Sequence, residues 1–264
     1  MSTPLISIVT VSYNAASSIE RTLQSVLEQD CPGVEYVVID GGSTDGTVAI
    51  IQRYQSKLAY WHSQPDKGIA DAFNQGIANA TGRYVGLLNA DDWLEPGALR
   101  AVVEAFEISK ADVVHGHLKH WRNGHLEFTA HGDHTQLWKE MTINHPATFV
   151  SRAAYEQYGV FDLSFRVAMD YELLLRMQQG GARFHYLPET LVNMQAEGVS
   201  DVRWLEGCRE VLRAKLLHGL SGVGARLWFV RQVSAIVGVR LAGKLGLHAA
   251  LRWWRGRFAK VKKE

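Results

Sequence analysis

Two hydrophobic periodicities alternate along the first 120 residues of the chain. Five short, continuous apolar runs have the composition of strands that are covered on both faces. They are residues 5–11, 36–39, 58–62, 84–88 and 113–118. Between them, apolar residues recur at helical spacing in residues 19–27, 47–54, 70–80 and 96–109. This alternation predicts an α/β fold with an open, mostly parallel sheet that is flanked by helices.

Polar clusters directly follow three of these runs, at residues 12–14, 40–45 and 89–92. The carboxyl ends of parallel strands share one edge of a sheet, and ligands bind beyond that edge, so we expect a ligand site there. The adjacent carboxylates Asp91 and Asp92 would repel each other without a cation. Hard oxygen ligands suit Mg²⁺ or Mn²⁺. A solvated acidic turn that caps the next helix is the alternative.

Charge is distributed unevenly in a chain whose composition, 47% hydrophobic and 21% charged, excludes disorder. Residues 203–264 carry 14 Lys+Arg against 3 Asp+Glu, whereas residues 1–202 carry 14 against 24. We therefore predict an acidic domain over 1–202 and a basic helical extension over 203–264. Such asymmetry indicates contact with a membrane surface or with nucleic acid. No nucleic-acid-binding module is recognisable, so nucleic acid is not expected.

The extension resembles a pair of interfacial helices on anionic lipid. Arg226, Arg240, Lys244 and Arg255 fall within about 60° of one another on a helical wheel. Its aromatic and terminal basic residues add to this pattern. They are Trp228, Trp253, Trp254, Arg257, Lys260, Lys262 and Lys263. A helical cap packed on the body is the alternative, and five glycines between 222 and 246 predict a broken helix.

The cellular location is indicated by the cysteines and by the apolar segments. Cys31 and Cys208 stand far apart in no metal-binding spacing, which predicts free thiols in a reducing compartment. The N-terminus has no basic region of a signal peptide, and no 18-residue stretch is uncharged and apolar. We therefore expect a cytoplasmic protein, peripheral on the cytoplasmic face of the inner membrane. Scattered histidines between 115 and 145 are more typical of surface or supporting positions than of a metal site.

Five segments occur in an order and at spacings that resemble family 2 glycosyltransferases. They are residues 10–14, 38–47 (VIDGGSTDGT), 68–92 (ending LLNADD), 144–150 (NHPATFV) and 169–177 (MDYELLLRM). The pattern, which also includes residues 65–69, is most similar to the subgroup that builds bacterial O-antigen and other surface polysaccharides. The resemblance implies the GT-A fold, a Rossmann-like domain that binds a nucleotide-sugar. Many members have a second aspartate where this chain has Gly41.

The resemblance implies a nucleotide site at the first two clusters. Asp40 would accept a hydrogen bond from the N–H of a uracil-type base, or it would only cap a turn. Thr10, Ser12 and Tyr13 would line the base pocket, unless they serve as ordinary packing at the strand end. Lys67 would lie near the diphosphate or the donor sugar, with a solvated lysine as the alternative.

The resemblance also implies the reacting groups. Asp91 would contact the ribose or the metal, and Asp92 would ligate Mn²⁺ or Mg²⁺. Asp170 would be the catalytic base, because the family position beside it, often glutamate, is Met169 here; a helix cap is the alternative. His145 would orient the phosphates or the acceptor, or it would be structural.

The implied activity is an inverting, metal-dependent transfer of a sugar from a nucleotide-diphosphate donor, with UDP as the expected nucleotide, to a hydroxyl group. The acceptor would be a saccharide or a lipid-linked saccharide in surface polysaccharide synthesis. A catalytically inactive GT-A-like binding or scaffold protein is one alternative. A sugar-phosphate nucleotidyltransferase is another, although the glycine-rich phosphate loop of that class is missing after the first strand.

Overall fold

The computed structural model describes residues 3–195 and 203–244. Its strands are β1 (Ile6–Ser12), β2 (Val34–Asp40), β3 (Tyr60–Ser63), β4 (Tyr84–Asn89), β5 (Trp93–Leu94), β6 (Val113–Arg122), β7 (His125–Ala130), β8 (Thr148–Ser151) and β9 (Phe184–Gln195). Its helices are α1 (Ile19–Leu27), α2 (Thr47–Tyr54), α3 (Ile69–Asn79), α4 (Ala98–Ser109), α5 (Arg152–Tyr158), α6 (Met169–Gln179), α7 (Trp204–Leu217) and α8 (Gly222–Lys244).

The strands form one sheet in the order β3-β2-β1-β4-β8-β6-β9-β5, with β7 paired to β6. The first four strands are parallel, as is β9 to β6. Strand β8 runs antiparallel to both β4 and β6, and β5 runs antiparallel to β9. The predicted α/β sheet is therefore confirmed, and each of its antiparallel pairings includes a strand that follows β4 in the chain.

The apolar runs are strands because both faces of the sheet are covered. Successive residues of a strand point to opposite faces, so Ile8 packs in one hydrophobic cluster and Val9 in the other. The cluster around Ile8 includes residues of α1 and α4, such as Leu23 and Leu99. The cluster around Val9 includes residues of α3 and α6, such as Phe73.

The C-terminal region continues as two packed helices. Lys215 of α7 places Nζ 4.4 Å from the ring centre of Trp228 on α8. The predicted break is wrong for the described part, because α8 is continuous from Gly222 to Lys244. The predicted features beyond residue 244 lie outside the described residues. Over the described ranges, no helix combines the length and apolarity needed to cross a bilayer.

Substitution of Gly76 tests how closely α3 approaches β1. A Cβ atom at this position would lie 2.1 Å from Cγ1 of Val9. We expect Gly76→Ala to lower the free energy of unfolding by about 1–3 kcal/mol, measured by urea titration. Gly238→Ala on α8 is the control, because nothing lies within 4 Å of the added methyl group and stability should hold or rise. Equal stability of Gly76→Ala and the unmutated protein would contradict this packing.

Candidate active site

The carboxyl ends of β1, β2 and β4 lie side by side. In the parallel registers, Ser12 pairs with Asp40 and Val11 pairs with Asn89. The three polar segments therefore leave the sheet at one edge. This shared edge is where open α/β sheets bind ligands.

Asp40 is fully buried at this edge. Its Oδ1 accepts hydrogen bonds from the hydroxyl groups of Ser12 (2.8 Å) and Ser43 (2.5 Å). Its Oδ2 accepts from the amides of Gly42 (3.1 Å) and Ser43 (2.8 Å) and from the Ser63 hydroxyl (2.6 Å). Burial raises the pKa of Asp40, but these hydrogen bonds outweigh it and leave the pKa below its ordinary value. The carboxylate thereby fixes the turn after β2.

The three residues predicted to line a base pocket differ in exposure. Thr10 is fully buried, and its Oγ1 lies 2.9 Å from the hydroxyl of Tyr36. Ser12 is buried and occupied by its bond to Asp40. Tyr13 is 68% exposed. Among these three, Tyr13 alone offers an accessible surface for a ligand.

Asp66 is a site residue that the sequence did not single out. A Cβ atom on Gly41 would lie 2.6 Å from Oδ2 of Asp66 and 3.5 Å from Cδ2 of Tyr13. Oδ1 of Asp66 accepts a hydrogen bond from the Gly68 amide at 2.7 Å. The half-buried Asp66 carboxylate therefore fills the space that a side chain at position 41 would enter. Two features of the sequence could have indicated this approach: the glycine at position 41 and the aspartate in the 65–69 motif.

Lys67 follows Asp66 on the same loop and is exposed. Its amide donates to Oδ2 of Asp71, at 3.0 Å. The loop is tied to β2, because the Gln64 amide donates to the carbonyl oxygen of Asp40 at 2.9 Å. Lys67 therefore lies on a segment that is anchored to the predicted nucleotide site.

Asp91 and Asp92 follow β4, with Asp91 half-buried and Asp92 fully buried. Oδ2 of Asp92 accepts from Asn89 at 3.0 Å, whereas Oδ1 accepts no hydrogen bond from the described residues. Burial, and then the charge of Asp91, raise the pKa of Asp92 well above its ordinary value. Burial also raises the pKa of Asp91. The charge of Arg21 lowers both pKa values, but by less than burial raises them. Two incompletely compensated carboxylates and an unpartnered oxygen fit a hard divalent cation.

A cation at this pair would need ligands from a substrate. Across residues 3–195 and 203–244, no three His, Cys, Asp or Glu side chains are arranged to hold a metal ion. Magnesium is usually bound by one or two carboxylates together with substrate phosphates. Histidines of the middle region contact each other instead, with His115 Nε2 2.9 Å from His134 Nδ1.

Asp170 is the second residue of α6, and its Oδ1 accepts from the Tyr171 amide at 2.8 Å. His145 lies close enough to be influenced by the Asp170 charge. Burial lowers the pKa of His145 more than that charge raises it. Its ring centre lies 5.5 Å from that of Phe73 and 5.9 Å from that of Phe161. Two phenylalanine rings therefore flank the His145 imidazole.

The pairing of β8 with β4 places this pair relative to the sheet. Phe149 pairs with Gly86 in antiparallel register, so the 3₁₀ turn His145–Ala147 lies toward the carboxyl end of β4. Phe161 and Asn74 exchange two hydrogen bonds, of 3.0 Å and 2.9 Å, which join α3 to the loop before α6. His145, together with the nearby Asp170, therefore lies toward the edge at which Asp91 and Asp92 follow β4.

Two solved structures share the fold. Staphylococcus aureus TarS residues 1–349, in complex with UDP-GlcNAc, superposes with a TM-score of 0.66 at 20% identity and covers 85% of this chain and 70% of its own. The mannosyltransferase PcManGT from Pyrobaculum calidifontis, in complex with GDP-Man and Mn²⁺, gives 0.62 at 19% identity and covers 97% and 82%. The predicted GT-A fold is confirmed.

Sequence relatives give the family. The family model for glycosyl transferase family 2 matches residues 7–169. A PGL/p-HBAD biosynthesis glycosyltransferase of Mycobacterium bovis is 32% identical over 181 residues, which span 67% of this chain and 70% of that protein. The chain therefore belongs to glycosyl transferase family 2 and is a glycosyltransferase.

Proposed function

We propose that the protein transfers a sugar from a UDP-linked donor to a hydroxyl of a saccharide or lipid-linked saccharide, with inversion, in surface polysaccharide synthesis. The observation that carries this proposal is the common edge shared by the acidic pair Asp91–Asp92 and by Asp170. A nucleotide-sugar donor is supported by the UDP-GlcNAc and GDP-Man complexes of the two structural neighbours. The M. bovis relative, named for PGL/p-HBAD biosynthesis, supports a glycan or glycolipid acceptor.

The base of the donor would lie beside Tyr13 and Asp66. Uracil presents an N–H donor between two carbonyl groups, and a carboxylate oxygen can accept from it. Oδ2 of Asp66 and the exposed Tyr13 ring both lie within 3.5 Å of the position that a Cβ atom on Gly41 would occupy, and the ring offers a stacking surface. The role predicted for Asp40 stays a prediction, and its five bonds within the protein make Asp66 the more accessible acceptor. Asp40 and Ser12 would act by fixing the turn.

The diphosphate would lie at the acidic pair. Asp91 and Asp92 would hold Mn²⁺ or Mg²⁺, which, when bound, neutralises charge on the leaving diphosphate. The Mn²⁺ complex of PcManGT supports this assignment. Lys67, exposed on the anchored loop, would add positive charge near the phosphates or the donor sugar.

Asp170 would take the proton of the acceptor hydroxyl. An alcohol has a pKa far above 7, so a positioned base assists its attack. The nearby Glu172 is unsuited to this role, because its carboxylate is buried and bonded to Arg176 and His218. The acceptor oxygen forms its bond to the anomeric carbon as the bond from that carbon to the diphosphate oxygen breaks. Attack opposite the leaving group inverts the configuration, and His145 would orient the reacting hydroxyl.

The substitution Asp170→Asn tests whether Asp170 acts in turnover and not in nucleotide binding. We expect turnover to fall by about 10²–10⁴-fold, because the amide cannot accept the proton, while the Kd for UDP changes less than about twofold. The substrate is whichever of the UDP-, GDP- and dTDP-sugars raises the Tm most with MnCl₂ present. Release of nucleoside diphosphate reports turnover.

Asp30→Asn is the control, since Asp30 is exposed and pairs with Arg100. Turnover of Asp170→Asn near the unmutated value would remove Asp170 from the role of base. If none of the nucleotide-sugars raises the Tm, the proposed activity itself is contradicted.

Asp66→Asn tests base recognition. Cytosine has an acceptor where uracil has the N–H donor, so the unmutated protein should prefer UDP to CDP. Replacing a charged acceptor at a hydrogen bond worth about 1.5–3 kcal/mol should weaken UDP binding roughly tenfold and narrow the UDP/CDP ratio. Calorimetry with each nucleotide and MnCl₂ measures both values. GDP is measured in the same way as a third nucleotide. An unchanged Kd for UDP in Asp66→Asn would show that the base binds elsewhere.

We further propose that α8 rests on an anionic membrane at the cytoplasmic face of the inner membrane. Exposed apolar residues recur along it at intervals of four, three, seven and four, which places them on one helical face. They are Val223, Leu227, Val230, Val237 and Leu241. Exposed Arg226 and Arg231 flank this face, and the helix contains no Asp or Glu. Contact between two copies would bring arginines together, whereas anionic lipid would compensate them.

Flotation with vesicles tests this membrane contact. The full chain should float with vesicles containing phosphatidylglycerol and float less at high salt. Leu227→Glu combined with Val230→Glu should lower the bound fraction at least fivefold, because both side chains are exposed and the fold is unaffected. Ile108→Glu, at an 83% exposed site on α4, is the control. Equal flotation of the double variant and the unmutated protein would contradict the assignment of this face.

A further inference from the structure

A carboxylate of the C-terminal region holds the backbone that leads into α6. Glu210 of α7 is buried. Its Oε1 accepts from the amide of Arg166 at 2.9 Å, and its Oε2 accepts from the amides of Val167 and Ala168, both at 2.8 Å. These three consecutive amides immediately precede the first residue of α6.

Helix α6 has no cap from its own sequence. Its N-cap residue is Ala168, which provides no side-chain acceptor. Helix α5, by contrast, begins with Ser151, whose Oγ accepts from the Ala154 amide at 3.1 Å. A negative charge near a helix N-terminus is favourable. Glu210, 42 residues further along the chain, places a carboxylate at this N-terminus, where it bonds the amides that lead into the helix.

The rest of α7 reinforces the same loop. Arg213 donates to Oγ of Ser164 at 2.6 Å, and its guanidinium lies 4.4 Å from the ring centre of Phe165. A Cβ atom on Gly207 would lie 3.1 Å from Cγ1 of Val167, so the helix backbone closely approaches the loop. The segment from 164 to 168 is thus held against α7 along its length.

The position of Asp170 depends on this segment. Asp170 lies two residues after Ala168, and its short side chain can only follow the backbone that carries it. Its carboxylate is bonded to the amide of the next residue, Tyr171, within the same helical turn. A displacement of about 1 Å at a reacting group can cost about 100-fold in rate.

We propose that Glu210 is a positioning residue for catalysis. It acts through the amides of residues 166–168 and sets the place of Asp170 in the site. This inference rests on the proposed role of Asp170 as the base. It makes α7, which lies in the predicted basic extension, part of the active enzyme.

Glu210→Gln tests the proposal in the full chain. The amide replaces one acceptor oxygen with an NH₂ group that faces a backbone N–H. Hydrogen–deuterium exchange should become at least tenfold faster in the peptide covering residues 163–171. Turnover should fall at least tenfold, whereas the Kd for UDP with MnCl₂ should stay within twofold. Glu206→Gln is the matched control on the same helix, because Glu206 pairs with the neighbouring Arg203.

A double-mutant cycle with Asp170→Asn separates positioning from general destabilisation. If Glu210 acts through Asp170, then Asp170→Asn costs at least tenfold less in the Glu210→Gln background than alone. Fully additive losses, or unchanged exchange or turnover in Glu210→Gln, would overturn the proposal. If Glu210→Gln folds poorly, Glu210→Asp is measured in its place, because it keeps both acceptor oxygens. Its turnover should lie between that of the unmutated protein and the tenfold loss expected for Glu210→Gln. Near-normal turnover of Asp170→Asn alone would instead refute the proposed function.

Discussion

The parallel pairing of β1 with β2 and β4 is the constraint on which the site depends. It sets Ser12 beside Asp40 and brings the segment after Asn89 to the same edge. A slip of one residue would turn each strand side chain to the opposite face, so the two buried hydrophobic clusters also fix the register of the site. Helices α3 and α6, packed on one of those faces, then carry Phe73 and Asp170 toward that edge.

Two buried aspartates at this edge have opposite electrostatics. The protein compensates Asp40 with five hydrogen bonds, and its pKa is lowered. Asp92 keeps an oxygen that no described residue bonds, and burial and Asp91 raise its pKa. A buried charge is costly unless it is paired or hydrogen-bonded. The contrast supports the proposals that Asp40 fixes the turn after β2 and that Asp92 would bind a cation.

The sequence predicted the parallel half of the sheet and its polar edge, because both depend on local periodicity and on strand ends. It did not predict β9, whose Pro188 argues against a strand, or the approach of Asp66 to Gly41, which is a tertiary contact. The bonds of Glu210 to the amides of residues 166–168 were not predicted for the same reason, since nothing near Glu210 in the sequence indicates them. The continuity of α8 was missed because each glycine costs only about 1 kcal/mol, and packing on α7 compensates for that cost.

The direct test of the proposed site is a crystal structure of the full chain with UDP and MnCl₂, with manganese located by anomalous scattering. We expect one manganese peak between the Asp91–Asp92 carboxylates and the diphosphate. The uracil ring should lie against Tyr13, with its N–H directed at Asp66, and the diphosphate should lie on the side that faces Asp170. Nucleotide or manganese bound away from this edge, or a diphosphate out of reach of Asp170, would contradict the account.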